Sequence, residues 1–361
     1  MVKAVVVEGA GATPEVAEIS LPEVGAEEVR LKIAAAGVCH SDLSMINGTI
    51  TPPYPVVLGH EASGIIAETG ANVRDLAVGD QVVINWAPAC RHCWHCLHGE
   101  PWLCSAAEGL LSTAGRMLED GTPVGAALGV GAFAEETVLP RHSVVPLPEG
   151  IGLDVAAVMG CAVLTGAGAV RNTADVRSGE SVLVMGLGGI GLSAVAGARL
   201  AGAGPIIAVD VSHEKEDLAR QLGATDFLLS ADKLAKQVRA LTGGRGVDHA
   251  FECVGAPATV RTAWQSTRRG GRCTVVGVGS KDQEVSFNLM ELFHFNRLLS
   301  SSVYGSCDPD RDIPELAAHV NAGRLALDAL ITHRIDLSGV AEAFERMKAG
   351  EGVRSVVELS G

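Results

Sequence analysis

The pattern of apolar and polar positions changes once along the chain. Up to about residue 160, short β-branched runs are separated by Gly, Pro and Asp, which predicts a β-rich domain. From about residue 163 to 304, short apolar runs alternate with stretches rich in Ala, Leu, Lys, Arg and Glu, which predicts a doubly wound parallel sheet. The predicted strands of the first region are Lys3–Val7, Val29–Ala34, Ser63–Glu68, Gln81–Ile84 and Glu136–Leu139. Those of the second are Ser181–Met185, Ile206–Asp210, Asp226–Leu229, Val247–Cys253, Arg272–Val278 and Leu298–Val303.

The last fifty residues return to a mixed pattern. Residues 312–361 contain two helical patterns and one terminal strand, Ser355–Leu359. A chain of 361 residues exceeds what one hydrophobic core usually supports, so we expect two domains. The fold class is therefore α/β, with a β-rich domain beside a Rossmann-type sheet.

The net charge and the hydropathy of the chain limit the classes of partner that it can bind. The formal net charge of −14 disfavours nucleic acid and anionic membranes. A long uncharged stretch, Val182–Ala198, is short for a membrane span and is interrupted by glycines. Nine cysteines, clustered CxxC spacing and a start without signal-peptide layout predict reduced thiols in the cytoplasm.

A glycine-rich turn predicts a dinucleotide site. The run Gly186-Leu-Gly188-Gly189-Ile190-Gly191 follows the strand SVLVM and opens a helical pattern. In that context GxGxxG indicates a pyrophosphate on the helix N-terminus, whereas the same turn without a ligand is the structural alternative. Asp210 ends the next strand, and a carboxylate there favours NAD over NADP.

Four cysteines form one compact cluster. Cys90, Cys93, Cys96 and Cys104 follow the spacing C-x2-C-x2-C-x7-C. Four nearby thiolates bind one tetrahedral metal, either zinc or iron in an iron–sulfur site. Because such a site is closed, it builds structure and leaves the chemistry to another site.

A second group of possible ligands is more dispersed. Cys39-His40-Ser41-Asp42 follows a predicted strand, and His60-Glu61 comes about twenty residues later. A lone Cys or His is more often a packed core residue than a ligand. A third ligand is needed, and Cys161, Cys253, Cys273 and Cys307 are available; Cys161 lies at the expected domain boundary, where a cofactor cleft would form.

Taken together, these motifs resemble the zinc-dependent medium-chain alcohol dehydrogenases. CHSD, GHE, the four-cysteine cluster, GLGGIG and the tail phrase GVRSVVEL occur in the family's order and spacing over the whole chain. The resemblance implies a GroES-like catalytic domain at 1–162 with 304–361, which carries both zinc sites. It also implies an NAD-binding Rossmann domain at 163–303, two zinc ions per chain, a small-molecule alcohol or aldehyde substrate and a homodimer.

The resemblance also assigns roles to individual residues. The catalytic-zinc ligands would be Cys39, His60 and Cys161, with Glu61 as a transient ligand and Asp42 orienting His60. The structural-zinc ligands would be Cys90, Cys93, Cys96 and Cys104. Substrate contacts would come from Ser41, by a hydrogen bond, and from Trp86, for which core packing is the alternative. The expected cofactor contacts are His40, Thr165, Gly186, Gly188, Gly189, Ile190, Gly191, Asp210, Lys215, Val278 and Arg354.

Two positions depart from the family pattern. His40 stands where many relatives have Arg, which predicts a weaker and titratable grip on the pyrophosphate. Ser44 stands where many relatives have the His that ends the proton relay, so the relay would pass through Ser44 or water.

The substrate remains divided between two classes. The phrases INWAPAC, ALGVGAFAEE and SSVYGSCDP resemble a bacterial subgroup that includes thiol-adduct formaldehyde dehydrogenases. The chain would oxidise a primary alcohol (aromatic, allylic or medium-chain) or a secondary alcohol, or else a hydroxymethyl-thiol adduct. We favour the alcohol; a non-catalytic zinc- and dinucleotide-binding protein is the alternative of a different class.

Overall fold

The structure is a computed structural model that describes residues 1–107 and 116–359. The strands of these residues are β1 (Val2–Val7), β2 (Glu15–Ser20), β3 (Glu28–Gly37), β4 (Val56–Val57), β5 (Glu61–Thr69), β6 (Gln81–Ile84), β7 (Met117–Leu118), β8 (Gly125–Ala126), β9 (Glu136–Pro140), β10 (Val144–Pro146), β11 (Val182–Met185), β12 (Ile206–Asp210), β13 (Asp226–Leu229), β14 (Val247–Glu252), β15 (Thr267–Val275), β16 (Leu298–Ser301), β17 (Ile331–Ile335) and β18 (Arg354–Glu358). Their α-helices are α1 (His40–Ile46), α2 (Trp94–Leu97), α3 (Leu153–Val158), α4 (Leu164–Gly168), α5 (Gly189–Leu200), α6 (Glu216–Leu222), α7 (Leu234–Leu241), α8 (Pro257–Ser266), α9 (Leu289–Phe295), α10 (Pro309–Asn321) and α11 (Val340–Ala349).

The chain divides into two compact units. The first comprises Met1–Cys161, Asp308–Gly323 and Leu327–Gly361, and the second comprises Ala162–Cys307 and Arg324–Ala326. The predicted boundaries were 162/163 and 303/304. Residues 108–115 and 360–361 of the predicted catalytic domain lie outside the described residues.

The first unit is built from two β-sheets. One has the order β7-β2-β1-β4-β8, and the other has the order β10-β6-β5-β3-β18-β17, with β9 also paired to β3. Along β3, Val29, Leu31 and Ile33 are fully buried because every second residue faces the core. This long central strand pairs with β5 and ends just before Cys39, so the sheet fixes the start of the metal-ligand segment.

The second unit contains the six-stranded parallel sheet. Its order is β13-β12-β11-β14-β15-β16, and every neighbouring pair is parallel. The sheet order and its helical crossovers confirm the predicted doubly wound fold. The strands β11 and β12 are buried along nearly their whole length, as expected for a sheet covered on both faces.

Several predicted elements differ in extent. The strand predicted at Arg272–Val278 runs from Thr267 to Val275, because its polar start TRRGGR pairs beside β14 despite lacking an apolar pattern. The strand predicted to reach Val303 ends at Ser301. The strands β2 and β17, EVAEIS and ITHRI, were not predicted, since each mixes charged and apolar residues.

Among the residues that the structure describes, one helical run is long and apolar enough to cross a membrane by length and composition. It spans Leu153–Thr173 with a mean hydropathy of 1.8, and 83 % of its most apolar stretch is buried inside the protein, as in a core helix. The stretch considered from the sequence, residues 182–198, is instead a buried strand followed by part of α5.

Candidate active site and metal centres

A buried Asp–His pair forms the base of the first site. Gly59 adopts a φ of +92°, and a Cβ there would lie 2.5 Å from the backbone N of Phe133, so this turn requires glycine. The turn directs His60 toward α1, where its Nδ1 lies 3.1 Å from Oδ1 of Asp42. Asp42 also accepts hydrogen bonds from the backbone N–H groups of Gly59 (3.0 Å) and Cys39 (3.2 Å). Both side chains are buried, so His60 is oriented with Nε2 available for a ligand.

The structure brings Cys39, His60 and Cys161 together. Their donor atoms all lie within 4.8 Å of one another, and all three residues are buried. Sγ of Cys161 lies 3.5 Å from Nε2 of His60. Tetrahedral zinc with ordinary Zn–S and Zn–N bonds places such a pair about 3.6 Å apart, so this donor set fits zinc. Three protein ligands leave one position for a further ligand.

The two thiols of this site differ in pKa. The hydrogen bond with Cys161 is the largest influence and lowers the pKa of Cys39 well below its usual value, against the effect of burial. The same hydrogen bond and burial raise the pKa of Cys161. Burial lowers the pKa of His60, but Asp42 and Cys39 outweigh it and raise that pKa. Of the two thiols, Cys39 therefore loses its proton more readily, and the thiolate is the form in which cysteine binds a metal.

A buried ion pair between Arg354 and Glu61 lies beside the ligands, and this pairing was not predicted. Nη2 of Arg354 lies 3.3 Å from Oε2 of Glu61, and both side chains are buried. Arg354 also donates to the carbonyl of Val38 (2.8 Å) and lies 3.9 Å from Sγ of Cys39. Burial lowers the pKa of Arg354, but Glu61, Cys39 and Cys161 outweigh it and raise that pKa. The predicted contact of Arg354 with pyrophosphate stays a prediction. Its pairing with Glu61 links residues far apart in sequence, so no local signal could have indicated it.

The remaining predicted residues of this centre lie at different depths. The hydroxyl of Ser41 is 3.9 Å from Sγ of Cys39. The ring of Trp86 lies edge-on to His60, with 6.2 Å between the ring centroids, and also packs against the core. His40 is exposed at the start of α1, and Ser44 is half-buried one turn later.

The four-cysteine cluster is also assembled. The sulfur atoms of Cys90, Cys93, Cys96 and Cys104 lie within 4.8 Å of one another. Sγ of Cys93 and Sγ of Cys104 are 3.9 Å apart, close to the ~3.8 Å edge of a tetrahedral zinc–sulfur site. Backbone N–H groups donate to Cys90 (3.3 Å) and Cys104 (3.2 Å). Hydrogen bonds from the backbone of Cys96 and Ser105 lower the pKa of Cys93 to about 5, whereas burial and Cys93 raise that of Cys96 to about 12.

An arginine inside this cluster ties it to α10. Arg91 lies between the first two cysteines with a φ of +65°. Its guanidinium donates to both carboxylate oxygens of Asp308, at 2.6 and 2.7 Å, and also contacts Asp310. A bidentate arginine–carboxylate pair fixes orientation as well as distance. Sequence reasoning missed this contact because its partners are more than 200 residues apart.

The glycine-rich loop has the shape that a pyrophosphate requires. Gly186 has a φ of +88°, and a Cβ on Gly191 would lie only 1.8 Å from the carbonyl oxygen of Gly186, so helix α5 packs where only glycine fits. A Cβ on Gly188 would meet nothing within 4 Å, which leaves the space in front of the helix open. These residues fit a dinucleotide whose pyrophosphate lies on the helix N-terminus.

The other predicted cofactor residues of the second unit are Asp210, Lys215, Thr165 and Val278. Oδ2 of Asp210 accepts a hydrogen bond from Leu187 N (2.7 Å) at the end of β12. Lys215 is buried, and burial lowers its pKa although Asp210 and Glu214 oppose the shift. Thr165 is buried in α4, and Val278 is 80 % exposed beyond β15. Their individual cofactor contacts stay predictions.

Comparison with known proteins agrees with this geometry. The family model "Alcohol dehydrogenase GroES-like domain" matches residues 25–149, and "Zinc-binding dehydrogenase" matches residues 189–322. The chain is 35 % identical to the NDMA-dependent alcohol dehydrogenase of Amycolatopsis methanolica, over 98 % of each chain. It is 35 % identical to the S-(hydroxymethyl)glutathione dehydrogenase of Paracoccus denitrificans, over 96 % of this chain and 97 % of that one. The benzyl alcohol dehydrogenase of Acinetobacter calcoaceticus superposes with a TM-score of 0.93, at 29 % identity and 99 % coverage of both chains.

The chain belongs to the zinc-dependent alcohol dehydrogenase family. Its four-cysteine cluster and its Cys-His-Cys site provide for two zinc ions, and its second unit is an NAD-binding domain. The predicted family, fold class, enzyme class and cofactors are thereby confirmed. Its relatives are oxidoreductases, so the non-catalytic alternative finds no support among them.

Proposed function

We propose that this enzyme catalyses the reversible, NAD-linked oxidation of a primary or secondary alcohol to an aldehyde or ketone. The observation that carries the proposal is the buried set Cys39, His60 and Cys161, which lies beside the hydroxyl of Ser41. Three protein ligands and an adjacent proton acceptor suit a site that deprotonates an alcohol.

The chain's own residues divide the work. Cys39, His60 and Cys161 would hold the catalytic zinc, and Asp42 orients His60. Zinc held by these three residues would supply a Lewis acid, which would lower the pKa of an alcohol hydroxyl. Ser41 accepts the hydroxyl proton and passes it toward solvent through Ser44 or water.

The charge of the site is balanced by buried groups. Arg354 neutralises Glu61 and lies against the thiolate of Cys39, so the two thiolates and the carboxylate are not left with only the metal as counter-charge. The carboxylate of Glu61 remains near the ligands as the predicted transient ligand.

An aromatic or allylic alcohol is the substrate class that the surroundings favour. The indole of Trp86 lies edge-on to His60 and supplies a flat apolar surface near the ligand set. The superposition on a benzyl alcohol dehydrogenase supports the same class. Medium-chain and secondary alcohols are the next substrates to examine.

A hydroxymethyl-thiol adduct is the second candidate. The support is the 35 % identity to an S-(hydroxymethyl)glutathione dehydrogenase over nearly the whole chain. Such an adduct is itself a primary alcohol, so the same residues would act on it. The difference lies in what binds the thiol part.

A substrate screen separates the two. NAD reduction by the zinc-loaded enzyme is measured with benzyl, allylic, medium-chain and secondary alcohols, and with formaldehyde in the presence or absence of glutathione or mycothiol. Activity on benzyl alcohol without thiol supports the first candidate. Activity confined to formaldehyde plus thiol supports the second, and no activity in either arm contradicts both.

We infer in addition that two copies of the chain form a homodimer through β16. This strand forms one edge of the parallel sheet, and α9, which precedes it in the chain, exposes Leu289 (82 %) and Phe293 (85 %). A twofold axis lets two edge strands pair with each other, which covers the edge and the apolar residues together.

Light scattering tests the inference. The wild type should be dimeric, and the double variant Phe293→Glu/Leu298→Lys should be monomeric. Leu97→Lys, at another exposed leucine, is the control. A monomeric wild type would contradict it.

A cytoplasmic location is proposed from the thiol chemistry. All nine cysteines are free, and seven of them are assigned to metal sites that need reduced thiols. Cell fractionation followed by detection of the protein tests this; recovery with the periplasmic or secreted fraction would contradict it.

A further inference from the structure

A cavity lined by arginines lies in the second unit, apart from the glycine-rich loop. Its volume is about 590 Å³, and its walls include Arg239, Arg245, Arg268, Arg269, Arg297 and Phe295. That volume lies in the range of ordinary small-molecule sites. Five guanidinium groups around one cavity are unexpected in a chain with a net charge of −14.

The cavity lies at the amino ends of the strands of the parallel sheet, whereas the dinucleotide site lies at their carboxyl ends. Arg245 comes just before β14, Arg268 and Arg269 lie at the start of β15, and Arg297 comes just before β16. The glycine-rich loop, in contrast, follows the carboxyl end of β11. Because all these strands are parallel, their amino ends lie together at one end of the sheet, and their carboxyl ends lie together at the other end.

The positive charge of this cavity is only partly neutralised. Within the described residues, the ion pairs of the five arginines are Arg268–Asp248 at 2.5 Å and Arg297–Glu291 at 4.0 Å. Glu291 is also bonded by Arg261 at 3.0 Å, so it is shared. Arg239 and Arg245 are instead held by backbone carbonyls, those of Gln265 (2.9 Å) and Thr242 (3.4 Å).

One arginine is held rigidly in the wall. The side chain of Arg297 is only 5 % exposed, and its guanidinium carbon lies 4.2 Å from the ring centroid of Phe295 and 5.4 Å from that of Trp264. Burial lowers the pKa of Arg297; Glu291 opposes that shift, and the charge of Arg239 adds to it. A guanidinium fixed by aromatic stacking and short of counter-charge is prepared to bind an anion with little loss of side-chain entropy.

We propose that this cavity is a second ligand site, which binds an anion carrying a chain of two or three phosphate groups. Guanidinium groups bind phosphate oxygens through paired N–H donors, and several of them at one cavity match several phosphates better than one carboxylate. The phosphate chain could belong to a nucleoside polyphosphate or to inorganic polyphosphate. The site is independent of the proposed alcohol oxidation.

Calorimetry tests the proposal on the zinc-loaded enzyme. The cofactor site is first saturated with NAD, so that nucleotides do not report on the glycine-rich loop. Tripolyphosphate, ATP and inorganic phosphate are then titrated separately. Zinc content is measured before and after each titration, because polyphosphates chelate zinc.

We expect tripolyphosphate to bind once per chain, more tightly than inorganic phosphate and more weakly as salt is added. If ATP binds more tightly than tripolyphosphate, the source of the phosphates is a nucleotide. If the two bind equally tightly, the source is free polyphosphate. Both outcomes support the site. Absence of binding by tripolyphosphate and ATP would overturn it.

A charge-matched pair of variants locates the binding. Arg239→Gln/Arg245→Gln removes two cavity arginines and should weaken tripolyphosphate binding by about tenfold or more, as expected for lost charge-assisted hydrogen bonds. Arg177→Gln/Arg220→Gln removes two exposed arginines of the same unit that do not line the cavity, and should leave binding unchanged. Equal loss in both pairs, or no loss in the first, would overturn the assignment.

Discussion

The imidazole of His60 is held by Asp42, with 3.1 Å between Nδ1 and Oδ1 and both side chains buried. The same carboxylate accepts hydrogen bonds from the backbone N–H of Cys39 and of Gly59. One side chain thus fixes the orientation of a ligand histidine and the backbone of a ligand cysteine.

Asp42→Asn should therefore weaken zinc binding at the catalytic site. The amide keeps one acceptor oxygen but places an NH2 group against backbone donors, and loss of such a partner costs about ten- to a hundredfold in metal affinity or activity. Zinc release to a chelator, followed separately from activity, measures it. Asp232→Asn, at an exposed aspartate of the second unit, is the control. Unchanged zinc retention and turnover in Asp42→Asn would contradict the role of Asp42.

The two cysteine sites should separate activity from stability. Cys161→Ala removes one ligand of the buried site and should leave one zinc per chain, no alcohol oxidation and a nearly unchanged melting temperature. Cys104→Ala opens the four-cysteine cluster, so the melting temperature should fall first and activity only with it. Zinc analysis and thermal unfolding of both variants provide the measurement. The assignment is wrong if Cys104→Ala abolishes turnover in a protein of unchanged stability.

Cofactor preference should depend on Asp210. Its carboxylate ends β12 and bonds Leu187 N of the glycine-rich loop, where it would repel a 2′-phosphate. Asp210→Asn keeps the size of the side chain and removes the charge. The ratio of kcat/KM for NADP to that for NAD should rise by about tenfold, which corresponds to about 1.4 kcal/mol. An unchanged ratio would show that another group sets the preference.

Asp248 should contribute to stability above acid pH. Burial raises its pKa, but hydrogen bonds from Ser181 and the guanidinium of Arg268 outweigh it and lower that pKa to about 2. A folded pKa below the usual 3.8 means that the contribution is complete above about pH 4 and is lost as the pH falls toward 2.

Asp248→Asn should consequently lower the free energy of unfolding at neutral pH by about 1 to 2 kcal/mol, after allowance for solvent screening of a partly exposed pair. The difference from the wild type should shrink between pH 4 and pH 2. Chemical denaturation across this pH range measures it, with Asp232→Asn as the reference. A constant difference at every pH would mean that the loss is not electrostatic.

Local patterns located all six strands of the parallel sheet, but they missed strands of the first unit. The buried strand Ile206–Asp210 is a continuous apolar run closed by an aspartate, so its extent was predicted without error, whereas β15 and β16 were predicted with wrong ends. The strand Ile331–Ile335 reads ITHRI and forms by pairing with β18, which a local pattern does not reveal.

In the candidate site, too, some residues could be predicted from the sequence and some contacts could not. The ligands within CHSD and GHE, and the four clustered cysteines, follow from spacing and from resemblance. The pairs Arg354–Glu61 and Arg91–Asp308 join residues that are hundreds of positions apart, so only the folded chain brings them together. The third ligand, Cys161, was one of four candidates until the resemblance selected it, and the structure places it 3.5 Å from His60.

The most direct test is the initial rate of NADH formation by enzyme shown to hold two zinc ions per chain, with benzyl alcohol and NAD and without added thiol. The account predicts alcohol-dependent NADH formation that disappears in Cys161→Ala. Protein with two zinc ions that reduces no NAD with benzyl alcohol, with any other alcohol or with a hydroxymethyl-thiol adduct would contradict it.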